Sequence, residues 1–176
     1  MTRARAAAVL RPLTADDAAA YFPLRLRGLE ESPLAFGRSA EEYRQETPES
    51  VAAALEPLEH ERVTFGAFVE GALVGSMTLV RQSGHKQRHK AMLYAVYVAP
   101  ETRGQRVGSQ LLEALLKWAG KVPGLRQIQL AVSVPQDAAY QLYLRHGFTV
   151  YGLEPRALHV GGQDVDEYLM VRVLDS

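Results

Sequence analysis

The chain has 176 residues, enough for one well-buried domain and short for two. Hydrophobic residues at 47% and charged residues at 23% exclude a disordered chain, and 20 basic side chains cancel 20 acidic ones, so no overall charge draws it to nucleic acid or an anionic membrane. Cysteine is absent, which excludes disulfides, thiol nucleophiles and thiolate metal sites together.

The opening "MTRARAAAVLRP" has too short an apolar part for a signal-peptide core and reads as an irregular start leading into a strand at Ala8 to Arg11. No apolar run reaches the roughly 18–20 residues that span a bilayer. A single domain over residues 1–176, without membrane association and with a cytoplasmic location, is the expectation. Thr14, followed by acidic residues and alanines, starts a helix near Ala15, which Pro23 kinks or divides. A second helical region in "SAEEYRQETPESVAAALEP" breaks at Pro48. Two β-rich runs, Val63 to Val69 and Leu73 to Arg81, flank Glu70-Gly71, a hairpin turn. The basic "GHKQRHK" reads as a loop. It lacks the interleaved aromatic residues of a nucleic-acid surface, and no such partner is expected.

"AMLYAVYV", Ala91 to Val98, is apolar almost throughout, which predicts a central strand buried on both faces. From Val107, residues Leu111, Leu112, Leu115, Leu116 and Trp118 fall on one helical stripe that ends at Gly120 and Pro123. "LRQIQLAV" alternates as a strand, and "PQDAAYQLYLRHGF" is a short helix closed by Gly147. Two last strands, about Val150 to Leu153 with an extension and Glu167 to Val173, flank the Gly161-Gly162 turn. The order predicts a mixed α/β sheet with a crossover helix after its central strand.

"VAPETRGQRVGSQLL" joins that central strand to the crossover helix. A helix start exposes unpaired N–H groups and roughly half a positive charge, a ready site for phosphate oxygens. Gly104 and Gly108 open space for a ligand, Arg103 and Arg106 add cationic donors, and Ser109 adds a hydroxyl. Neither the Walker loop nor the dinucleotide fingerprint matches. The plainer reading is a glycine-containing cap with solvated arginines.

The stretch resembles the acyl-CoA motif of the GNAT (GCN5-related N-acetyltransferase) superfamily, [RQ]-x-x-G-x-[GA] after a strand that ends in proline. Arg103 fills its first position and Gly108 its last, while Arg106 stands where the intervening glycine is usual. "AAYQLYLRHGF" resembles the superfamily's A-x-x-L-Y-x-x-x-G-F element, and "GLEPRALHVGGQDVDEYLM" its closing strands, so the likeness spans roughly Val63 to Val173. It implies a mostly antiparallel sheet with a splayed parallel pair, Ala91–Val98 and Gln127–Val132, and acetyl-CoA as acyl donor. The pantetheine arm would lie along Val96, Tyr97 and Val98, the pyrophosphate over Arg103, Gly104, Gln105, Arg106, Val107, Gly108 and Ser109, with a further contact at Gln136. A homodimer is compatible with the resemblance.

By the same resemblance Tyr143 is the acid that protonates the departing thiolate; on its residues alone it reads as a core tyrosine packed by Leu142 and Phe148, with Tyr140 its neighbour three residues earlier. Met92 and Ala131 occupy the positions where the superfamily commonly carries a glutamate base, and neither takes a proton. Tyr94, Glu30, Glu31, Asp164 and Asp166 are the remaining candidates, each also readable as solvated surface. The five histidines have no metal-ligand spacing, and no metal is expected. Direct acetyl transfer to a primary amine, on a small molecule, a protein N-terminus or a lysine, is the leading expectation; a non-catalytic acyl-CoA sensor or scaffold of the same fold is the alternative.

Overall fold

The computed structural model describes residues 7–174; most of the irregular start expected over the first residues lies outside that range. Its strands are β1 (Val9–Pro12), β2 (Arg62–Val69), β3 (Ala72–Arg81), β4 (Lys90–Val98), β5 (Gln127–Ser133), β6 (Thr149–Val160) and β7 (Gln163–Val173). Its α-helices are α1 (Ala18–Glu31), α2 (Ala40–Arg44), α3 (Pro48–Leu55), α4 (Val107–Ala119) and α5 (Asp137–Arg145). The strands form one sheet in the order β1-β2-β3-β4-β5-β7-β6, antiparallel except for β4 beside β5. That parallel pair is the one that needs a crossover, and α4 supplies it. No helix among the described residues is long and apolar enough to cross a membrane.

The predicted hairpin is present. Glu70 and Gly71 both take positive φ (50° and 82°), the pair a tight two-residue turn between twisted strands requires. Pro48 opens α3 at its first position, where its missing N–H costs nothing, and Thr47 caps it. Pro23 does not divide α1. It sits near the helix start and removes one backbone bond, while the buried stripe of Tyr21, Leu24, Arg25, Gly28 and Leu29 continues across it. The helix begins at Ala18, after a 3-10 turn over Ala15–Asp17.

Two expectations are corrected where the sheet meets its helices. Leu116 and Trp118 flank the buried stripe of α4, which is Val107, Leu111, Leu112, Leu115 and Ala119. More informative is β4, which is not buried on both faces. Ala91, Leu93 and Tyr97 are buried, but Met92 is partly open and Tyr94 is 50% exposed. The continuous apolar run hid a strand that packs core on one face and lines a cleft on the other. Ala95, at φ 53°, is the extra residue of a bulge facing Met77 of β3. A bulge bends its strand and breaks the local ladder, and this one lies just past the last rung shared with β5.

Candidate active site

β4 and β5 pair over three rungs only, Lys90–Met92 against Gln127–Gln129. Beyond them the strands part, so the edge of β4 from Leu93 to Val98 that faces β5 pairs with no strand. Because unpaired backbone groups need partners, this edge is suited to an extended ligand with amide groups. The gap opens into a cleft of about 1660 Å³. Its lining includes Val96, Tyr97, Val98, Arg103, Gly104, Arg106, Val107, Gly108, Ser109, Gln136 and Tyr143, all predicted contacts. Gln105 is the predicted contact that does not line it: its side-chain amide turns back to donate to the Glu101 carbonyl at 3.3 Å.

The start of α4 leaves backbone donors open to the cleft. No side chain caps it, and the N–H groups of Val107, Gly108 and Ser109 have no protein acceptor among the described residues. Gly104 takes φ 75° and Arg106 φ 63°, left-handed both, which curls the turn so that its N–H groups converge. The donors of this turn are backbone groups, and the arginine in place of glycine keeps the left-handed conformation that glycine would adopt. A left-handed arginine is strained by about 1–2 kcal/mol, partly offset because glycine is freer when unfolded. Arg106→Gly is thus expected to raise stability by about 0.5–1 kcal/mol, read as a higher urea midpoint at unchanged slope. A lower midpoint would mean that the exposed Arg106 side chain, 4.0 Å from Glu113, contributes more than its backbone costs.

Arg103 reaches back along the cleft wall, its Nε donating to the Val98 carbonyl at 3.2 Å. The Ser109 hydroxyl lies 3.0 Å from His146 Nε2 and 3.3 Å from a Glu113 oxygen, and its one hydrogen can serve only one of them. His146 Nδ1 lies 3.1 Å from the Leu142 carbonyl, and burial lowers the imidazole's pKa, favouring the neutral ring that accepts from Ser109. Sequence reasoning passed over His146, whose only signal was its place beside Gly147.

Tyr143 packs from α5 against the core, 4% exposed, edge-on to Phe148 at 5.7 Å between ring centroids. Its hydroxyl has no protein partner among the described residues, and burial pushes the phenol well above its usual pKa. The packing reading holds, and the residue also lines the cleft. Tyr140 turns away to stack on Tyr168 at 5.0 Å and is not part of the lining.

Of the residues weighed as a base, Tyr94 lines the cleft while the four carboxylates do not. Glu30 pairs with Arg44, and Glu31 accepts from the Tyr97 hydroxyl at 2.6 Å and from Arg27 at 2.7 Å. Asp164 accepts from His159, and Asp166 from the Arg156 N–H. Two carboxylates do line the cleft, Glu113 beside Ser109 and Glu167 of β7. Glu167 stands opposite Ser133 of β5, two residues along from Ala131 and hence on the same face of the sheet. Burial first, and then the charge of Glu154 across on β6, raise its pKa. The wall is completed by Arg25 of α1, by the segment Ala35 to Arg38, and by Leu158 of β6.

The sequence profile of the Acetyltransferase (GNAT) family matches residues 28–148, well over half of the chain. The chain belongs to this family. A GNAT-family acetyltransferase from Streptococcus pneumoniae has the same fold, with a TM-score of 0.86 at 25% identity over 96% of this chain and 100% of that one. The acetyltransferase yncA from Salmonella typhimurium, solved with acetyl-CoA, gives 0.84 at 20% identity over 97% and 95%. The L-amino acid N-acetyltransferase AaaT of Escherichia coli is 26% identical over 107 residues, 61% of this chain and 65% of its own length. An uncharacterized protein of Mycobacterium leprae is 36% identical over 107 residues, again 61% of this chain but 28% of its own length. This GNAT chain therefore spans less than two thirds of either curated relative.

Proposed function

We propose that this GNAT acetyltransferase moves the acetyl group of acetyl-CoA directly onto an amine held in the same cleft. The observation that carries the reading is the continuity of that cleft. One wall joins the uncapped start of α4, the unpaired edge of β4, the free hydroxyl of Tyr143 and the carboxylate of Glu167. The diphosphate of acetyl-CoA fits the amides of Val107 to Ser109 with Arg103 beside them, and its pantetheine arm fits the open β4 edge. The yncA complex and the AaaT relative support the same donor and the same bond type.

An ammonium group has no lone pair, so the acceptor must first lose a proton, and Glu167 takes it. The neutral amine attacks the thioester carbonyl carbon; the C–N bond forms, and negative charge moves to the carbonyl oxygen. A backbone N–H on the bulged edge of β4 would stabilise that charge. The C–S bond then breaks, and the departing thiolate takes its proton from Tyr143. No covalent enzyme intermediate is required, and the chain has no cysteine to form a thioester.

The competing reading, a binding module without turnover, draws on Met92 and Ala131, which are as inert in the structure as in the sequence. Glu167, one strand over on the same face, weakens that support. Thiol release should require both acetyl-CoA and an amine, with intersecting initial-rate lines and no acetylated protein detected by mass spectrometry. Tight acetyl-CoA binding without thiol release across primary amines of all classes would leave the binding module standing.

A further inference from the structure

Arg25 is 9% exposed and lines the cleft, yet among the described residues it has no ion pair and no hydrogen-bond acceptor. Its Nη1 is buried without a partner, and its one defined contact is the face of Phe36, 4.5 Å from the ring centroid. A guanidinium carries five donors and stays charged, so burying it unpaired is costly. The contrast along the same helix is sharp. Arg27, two residues on, is held by both Glu31 and Glu101.

The carboxylates within reach of this region are committed elsewhere: Glu30 to Arg44, Glu31 to Arg27 and Tyr97, and Glu46 to Arg38. A second buried donor, the Tyr43 hydroxyl, is likewise without a partner in the same corner of the fold. Arg38, over the Tyr43 ring at 5.3 Å, adds a further cation to this corner. The groups that act on Arg25, namely Tyr21, Phe36, Arg38 and Tyr43, belong to α1, α2 and the segment between them rather than to the glycine turn. The charge of the cofactor's phosphates is met at that turn, so Arg25 is left over.

We propose that Arg25 is the anchor for an oxyanion on the acceptor, so that the amine acetylated here belongs to a small molecule that also carries a carboxylate. The inference rests on the acetyl-transfer reading and names the class of its acceptor. A bound carboxylate would meet Arg25 with charge-assisted, two-pronged hydrogen bonds. The same molecule's ammonium would then face Glu167, the carboxylate on the acceptor side of the cleft. One buried cation and one half-buried acid lining the same cleft suit a zwitterion, which neither a monoamine nor a lysine side chain satisfies.

The test uses the whole protein with acetyl-CoA and pairs each proteinogenic L-amino acid with its own α-amide, following thiol release. The amide keeps the side chain and the amine and removes only the carboxylate. The best amino acid should exceed its amide in kcat/KM by about ten- to a hundredfold. Arg25→Gln should collapse that ratio toward one, and Arg25→Lys should keep part of it, with acetyl-CoA affinity by calorimetry showing both variants folded. Should neither variant fold, the ratio in the unaltered protein decides alone. An amide acetylated as well as its amino acid, or monoamines acetylated in preference to amino acids, overturns the anchor and leaves acetyl transfer standing. Protein that binds acetyl-CoA but releases thiol with no amine overturns both.

Discussion

Tyr143→Phe should bind acetyl-CoA and fold nearly as the parent does while its kcat falls about 10²–10⁴-fold, the range expected for losing a general acid. The ring environment sets the first half of that expectation. Tyr143 is packed edge-on against Phe148 and almost fully buried, so phenylalanine reproduces its contacts atom for atom apart from the oxygen. Because the hydroxyl bonds to no protein group among the described residues, its removal orphans no partner, and the usual cost of breaking a buried pair does not arise. Burial raises the pKa of the phenol, which keeps it protonated across the neutral range but makes it a weaker acid, so its proton passes only as full thiolate charge develops beside it. The smaller end of the range is reached if water can supply the proton, since a thiolate already leaves well. Measuring kcat on a single acceptor, with calorimetry for acetyl-CoA, separates the outcomes. An equal kcat would assign Tyr143 to the core and send the proton to water, because Tyr140 is stacked on Tyr168 and off the cleft.

Local signals in the sequence carried the frame of this protein. The Glu70-Gly71 hairpin, Pro48 at the head of α3 and the junction of β4 with α4 each depend on residues within a few positions of one another. So does the proposed phosphate cradle, which is a turn and the first residues of a helix. What the sequence concealed depends on long-range pairing. "AMLYAVYV" reads as buried on both sides because a cleft wall and a core wall are equally apolar; only the parting from β5 after three rungs distinguishes them. Arg25 and Arg27 look alike in "LRLRGLEE", although Arg25 shares the spacing of Tyr21, Gly28 and Leu29 and so falls on the buried stripe. That periodicity was a readable signal. Glu167 offered none. Its place in the cleft follows from the register of β7 against β5, set across more than thirty intervening residues, whereas Asp164 and Asp166 nearby are equally acidic and face elsewhere.

Glu167→Gln should lower kcat/KM at neutral pH by about 10²–10⁴-fold, since glutamine keeps the shape but accepts no proton from the amine. The pH dependence makes the assignment specific. A base works in its deprotonated form, so activity should rise with pH as Glu167 ionises. Burial and the charge of Glu154 both hold the pKa of Glu167 above the ordinary carboxylate value, which places that rise at a higher pH than an exposed glutamate would give. Glu154 lies directly across on β6 and is not in the cleft lining, which makes it the means of moving this limb. Glu154→Gln removes a like charge, so the pKa of Glu167 should fall and the rising limb should shift toward lower pH. Burial alone still raises it, so the limb should stop short of the ordinary carboxylate range. The measurement is kcat/KM against pH for the parent and both variants with one acceptor. If the limb stays in place in Glu154→Gln and survives in Glu167→Gln, the titrating group is the acceptor amine itself, and transfer proceeds with solvent as its base.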